Sequence, residues 1–146
     1  MDLLNTLQHE IAGLDFAQTL QKTVSFLREN ITRYNWVGIY MLEGDELVLK
    51  AWDGPEATQH VRIPIGRGIC GLAAREKRTV IVGDVTADPR YLACFPYTKS
   101  EIVVPILKGT RVLGEIDIDS NTLNAFTEKD REFLERVAAL LGERYV

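Results

Sequence analysis

Residues 101–119 read EIVVPILKGTRVLGEIDID, and this stretch decides the fold class. Glu101 to Leu107 and Arg111 to Asp119 are rich in β-branched residues, and Gly109-Thr110 between them suits a two-residue turn with glycine first. A hairpin requires antiparallel pairing. Towards the N-terminus, Asn35 to Leu42 and Glu46 to Trp52 repeat the pattern around Gly44-Asp45. His60 to Ile65 and Thr79 to Val82 read as single strands, with a short helix from Ile69 to Lys77 between them. Asp15 to Ile31 carries Phe16, Leu20, Val24, Leu27 and Ile31 at helical steps, with Asp15 as N-cap. A shorter helix from about Asp2 to Ala12 precedes it, ended by Gly13. Thr127 opens a closing helix whose apolar face is Phe133, Leu134, Val137, Leu140 and Leu141. The expectation is an α+β fold, an α/β sandwich. Its central antiparallel sheet has about five or six strands, with N- and C-terminal helices on one face and a ligand pocket on the other. Gly83 to Ser100 has no clear period and reads as a long functional loop.

The chain has 146 residues, 46% hydrophobic and 26% charged, with a net charge of −4. One domain spanning 1–146 fits, because a chain of this length buries roughly 70% of its unfolded surface without disulfide or metal. The acidic balance argues against a nucleic-acid surface. No apolar run is long enough to span a membrane, and the opening MDLLNTLQHEI lacks the pattern of a signal peptide. These features predict a cytoplasmic protein, a setting that argues against a structural disulfide. Cys70 and Cys94 are then either inert core thiols or redox-active ones.

Strand alternation sets Val112, Gly114, Ile116 and Ile118 on one face, and Leu113, Glu115, Asp117 and Asp119 on the other. Three carboxylates on one face make either a solvated surface or a pocket for a cationic group, where crowding raises the pKa of a general acid. A plain two-residue turn pairs Ile102 with Asp117 and directs Glu101 away from the aspartates; a bulge at Pro105 would repair this. Gly66-Arg67-Gly68-Ile69-Cys70-Gly71 matches G-x-G-x-x-G in letters, but the antiparallel hairpin downstream does not suit a doubly wound dinucleotide fold. Cys70 falls in the first turn of a helix, where the dipole favours a thiolate; core packing is the other reading. Cys94 lies in the long loop. Neither cysteine has zinc-knuckle spacing, so no metal ligand is assigned, and His9 and His60 read as surface residues. Trp36 and Tyr40 share strand parity, as core or as an aromatic wall for a ligand.

Several segments taken together resemble one family. They are Asn35-Trp36-Val37-Gly38-Ile39-Tyr40, Arg62-Ile63-Pro64-Ile65-Gly66-Arg67-Gly68-Ile69-Cys70-Gly71 and Tyr91-Leu92-Ala93-Cys94. Ser100-Glu101-Ile102-Val103-Val104-Pro105 and Gly114-Glu115-Ile116-Asp117-Ile118-Asp119-Ser120 complete the set. In order and spacing they resemble the free methionine-(R)-sulfoxide reductases, stand-alone GAF domains. The resemblance implies a homodimeric oxidoreductase that binds no cofactor and is re-reduced by thioredoxin or a similar dithiol. Its reaction would be reduction of free L-methionine-(R)-sulfoxide through a Cys70–Cys94 redox pair. Cys94 matches the attacking cysteine and Cys70 a second redox cysteine. Glu101, Asp117 and Asp119 match carboxylates that hold the substrate, with Glu101 the first choice for the acid. Trp36 and Tyr40 match the aromatic side of the pocket. Two positions depart from the pattern. His60 stands where a third cysteine is common, which leaves Cys70 to resolve Cys94. Phe95 stands where a polar residue often follows the loop cysteine. The competing expectation is a GAF sensor module that binds a small molecule and leaves both thiols inert.

Overall fold

The computed structural model describes residues 2–91 and 95–145. The elements, in chain order, are α1 (Leu3–Ile11), α2 (Phe16–Asn30), β1 (Trp36–Glu43), β2 (Glu46–Asp53), β3 (Arg62–Pro64) and α3 (Gly68–Glu76). They continue with β4 (Val80–Val82), a 3-10 turn at Val85–Ala87, β5 (Ser100–Lys108), β6 (Arg111–Ser120) and α4 (Glu128–Arg144). The six strands form one sheet in the order β3-β2-β1-β6-β5-β4, antiparallel throughout. The β3 strand is three residues, shorter than His60 to Ile65. Among the described residues no helix is long and apolar enough to cross a membrane.

Local chemistry starts the long helices where expected. The Asp15 carboxylate accepts from the Gln18 N–H at 2.8 Å, and the Gln18 side chain accepts from the Asp15 N–H at 3.1 Å, a reciprocal capping box. At α4 the Thr127 N–H donates to the Asp130 carboxylate at 2.9 Å. That carboxylate also accepts from the Tyr34 hydroxyl at 2.5 Å and from Arg33. One buried acid therefore ties the start of α4 to the α2–β1 connection.

Alternation along the strands divides the interior in two. Val37, Ile39, Ile102, Val104, Ile116 and Ile118 face α1, α2 and α4 and make the larger core. Each such side chain contributes about 1.5–3 kcal/mol on burial. Tyr40, Val103 and Val112 face the other way, against Ile69, Leu72 and Ala73 of α3.

The β5–β6 register differs from plain alternation. Lys108 faces Arg111 across the turn, with Gly109 at φ +63°. Leu107 pairs with Val112, but Ile106 pairs with Gly114. Leu113 is thus the extra residue of a bulge, and it packs in the helix-side core while Val112 packs against α3. Both sit on the face opposite to the one that simple alternation assigns. The bulge lies in β6, not at Pro105, which pairs with Glu115. Its effect is the expected repair: Glu101 pairs with Asp119 and shares the carboxylate face.

Gly114 follows the bulge where β6 crowds β1. A Cβ there would stand 2.1 Å from the Tyr40 carbonyl oxygen and 2.8 Å from Met41 Sδ. Gly114→Ala should cost about 1–3 kcal/mol, as overpacking does, and lower the urea midpoint at constant slope. An unchanged midpoint would mean that the two strands separate freely enough to admit a methyl group.

Candidate active site

Three strands build the site in rows. Trp36 and Glu101 flank Asp119, Gly38 and Val103 flank Asp117, and Tyr40 and Pro105 flank Glu115. Glu115 is fully buried, Asp117 and Asp119 are each 2% exposed and Glu101 is 5% exposed, which excludes a solvated surface. Burial is the main cause that pushes Glu115, Asp117 and Asp119 above the ordinary carboxyl range. The charge of Asp117 adds to the rise at Glu115 and Asp119. At Asp117, hydrogen bonds with Glu101 and Cys70 and the nearby His60 act in the opposite direction. Among the described residues no lysine or arginine is ion-paired with Glu115, Asp117 or Asp119. One oxygen of Asp117 and one of Asp119 have no hydrogen-bond partner. Such a cluster is stable only when protons are shared within it or a cation enters.

The α3 helix brings Cys70 to these acids. Gly66 (φ +90°) and Gly68 (φ +67°) turn the chain out of β3. A Cβ on Gly71 would stand 2.7 Å from both the Gly66 nitrogen and the Pro64 oxygen, so this glycine permits close strand–helix packing. Cys70 Sγ and carboxylate oxygens of Glu101 and Asp117 lie within 4.8 Å of one another. Of the two readings of Cys70, packing in the core is the one its burial favours. Burial first, then the charges of Asp117, Glu115 and Glu101, push the Cys70 thiol well above its usual range, and these outweigh the helix dipole. The other expected redox residue, Cys94, lies outside the described residues.

Aromatic side chains close the opposite end. Tyr40 is fully buried, and its hydroxyl donates to the His60 carbonyl at 2.7 Å. The Trp36 ring lies over Gly38 and Gly54, where a Cβ would approach it to 2.4 and 2.2 Å. Trp36 stacks on Trp52 with centroids 6.3 Å apart and meets Phe95 at 6.0 Å, while Phe95 stacks on Tyr97 at 5.5 Å. The Tyr97 hydroxyl donates to the Glu56 carboxylate at 2.6 Å, and the Trp36 indole N–H donates to the Glu56 carbonyl at 3.1 Å. Phe95 is therefore an anchor of the loop, buried in the aromatic wall. His60, expected at the surface, is half-buried. The structure thus gathers Trp36, Tyr40, Cys70, Glu101, Asp117 and Asp119 on one face. It adds Phe95 and Tyr97 to the aromatic wall and stacks Trp52 on Trp36 within it. Alternation had already set Glu115 beside the aspartates; the aromatic contacts join distant segments and leave no local signal.

Tyr40, Ile63, Ile69, Cys70, Glu101 and Asp117 line a cavity of about 10 Å³, roughly the room one water needs. A wider hollow of about 280 Å³ lies beside Thr79, Pro105 and Glu135, outside the acid cluster.

The model for the family described as GAF domain matches residues 15–144. The free methionine-R-sulfoxide reductase of Escherichia coli (strain K12) is 39% identical over 126 residues, 86% of this chain and 75% of that protein. The X-ray structure of free methionine-R-sulfoxide reductase from Neisseria meningitidis in complex with its substrate is 39% identical. It aligns with a TM-score of 0.91 over 97% of this chain and 85% of that one. The type II free methionine-R-sulfoxide reductase from Thermoplasma acidophilum, also 39% identical, aligns with a TM-score of 0.83 over 98% of this chain and 94% of that one.

The buried acids make stability depend on pH in a specific direction. Glu115 keeps its proton in the folded chain well above 4.5, where the unfolded chain releases it. The folded state then binds more protons above that pH, so stability falls as pH rises, by about 1.4 kcal/mol per pH unit for each proton concerned. Urea midpoints measured from pH 5 to 8 (about the range of common buffers) should decline. Glu115→Gln should flatten the decline and exceed the wild type in stability at the alkaline end. Parallel curves would show that Glu115 is already ionised throughout.

Proposed function

Because the chain belongs to the GAF domain family and, within it, to the free methionine-(R)-sulfoxide reductases, we propose that it reduces free L-methionine-(R)-sulfoxide to methionine at the expense of thiols. The observation that carries this reading is the buried carboxyls of Glu115, Asp117 and Asp119, to which no lysine or arginine among the described residues is ion-paired. A free amino acid brings a cation as its α-ammonium, which in this reading Asp117 and Asp119 receive. Methionine within a peptide has no such group, and binding it would leave buried charge unmatched. Trp36 and Tyr40 supply apolar walls for the rest of the substrate.

In this reading the Cys94 thiolate attacks the sulfoxide sulfur while Glu101 protonates the oxygen. The oxygen passes to Cys94 as a sulfenic acid, and methionine is released. The Cys70 thiol then condenses with the sulfenic acid, forming a disulfide and water. A dithiol such as thioredoxin restores both thiols by exchange. The described residues flanking the Cys94 segment support its part: Tyr91 packs against the α3-side core and Phe95 against Trp36. One domain over 1–146, a cytoplasmic location and a homodimer complete the proposal.

The test is NADPH oxidation in a thioredoxin-coupled assay, with free methionine-(R)-sulfoxide, its S epimer and a peptide-bound sulfoxide compared. Only the free R epimer should turn over. Cys94→Ser should abolish turnover, and Asp119→Asn should raise KM by about tenfold or more with a smaller change in kcat. Full activity of Cys94→Ser, or equal turnover of the peptide-bound sulfoxide, would overturn the reading.

A further inference from the structure

We propose that Cys70, Glu101 and Asp117 also form an inhibitory site for a thiophilic divalent cation, with zinc as the natural candidate. The three donors come from α3, β5 and β6, and their ligand atoms already lie within 4.8 Å of one another. Ligand atoms on one tetrahedral zinc stand roughly 3.5 Å apart, so small side-chain shifts complete the set. Two further observations point to a cation. Asp117 is 2% exposed, and its Oδ1 has no hydrogen-bond partner. All three residues line the same small cavity, about 10 Å³ in volume, with Arg67 at its wall, and that volume has room for an ion. Fully buried Glu115 lies beside the thiol.

The donor chemistry selects among metals. One thiolate with two carboxylates favours zinc or cadmium over magnesium or calcium, which prefer all-oxygen shells. Three protein ligands leave a fourth position for water. Binding replaces the Cys70 S–H proton with the metal–sulfur bond and releases that proton to solvent. No electron is transferred. The bound ion occupies the Asp117 oxygen and ties up the Cys70 sulfur. Inhibition, though not binding, rests on the reductase reading. There the metal competes with the substrate ammonium and removes the resolving thiol.

The experiment uses the full chain, reduced and stripped of metal, titrated with zinc by calorimetry and with cadmium by ultraviolet absorption. A single zinc site is expected, with proton release visible as a dependence of the heat on buffer, and magnesium should give no heat. Cadmium should produce a thiolate-to-metal band that persists in Cys94→Ser and is lost in Cys70→Ser. Asp117→Asn, nearly isosteric, should weaken zinc by at least about tenfold, the scale of a lost supporting group; circular dichroism checks that each variant is folded. Absence of the cadmium band in the wild type overturns the site, as does a band that follows Cys94 rather than Cys70. In the coupled assay, zinc should inhibit competitively and chelator should reverse it. Zinc that binds at Cys70 without slowing turnover overturns the inhibitory half. A protein that binds zinc there but reduces no sulfoxide keeps the site and refutes the reductase reading instead.

Discussion

Glu101, Glu115, Asp117 and Asp119 share one buried sheet face with a buried thiol, and electrostatics forbids all of them to be ionised together without a counter-charge. Each unpaired carboxylate in such a place costs several kcal/mol after relaxation. The sheet explains how the cluster is tolerated. On the reverse face the same strands bury Ile102, Val104, Ile116 and Ile118 against three helices. Period-two alternation then leaves the acids no other side to occupy. The apolar core drives the strands together, and the acids are carried inside with them.

The bulge at Leu113 decides which acids meet. With an unbroken ladder Glu101 would face the helices, where no polar partner awaits it. One extra residue in β6 restores the pairing of Glu101 with Asp119. It also places Glu101 within ligand distance of Cys70 and Asp117. A local irregularity of the backbone thereby sets the composition of the site, which fits the tendency of bulges to re-aim side chains next to functional centres.

Much of this was legible in the amino-acid order. Both hairpins, the Asp15 and Thr127 helix starts and the grouping of Glu115, Asp117 and Asp119 follow from local patterns that the three-dimensional packing does not contest. The failures share a cause. Leu113 and Val112 were assigned to the wrong faces because a bulge interrupts the period, and nothing in the residues themselves marks its place. The sequence left the charge state of Cys70 open because the helix start is local while the acids opposing a thiolate come from β5 and β6. The contacts of Phe95, a departure from the family pattern, with Trp36 and Tyr97 arise only when segments far apart in sequence meet.

Protons, an ammonium group and a metal ion are three answers to the same electrostatic demand, and in the readings proposed above they would exclude one another at Asp117. A lysine or arginine buried beside the aspartates would satisfy the acids permanently and stabilise the fold, but it would fill the seat a ligand needs. Among the described residues no lysine or arginine is paired with Glu115, Asp117 or Asp119, which is what a site for an exchangeable cation requires, and the cost falls on the free protein. Shared protons meet that demand only in part, since they neutralise the acids without occupying space. That leaves the pocket small yet receptive, with its affinity for any entering cation set by how readily Glu115 and Asp119 give up the protons that burial makes them hold.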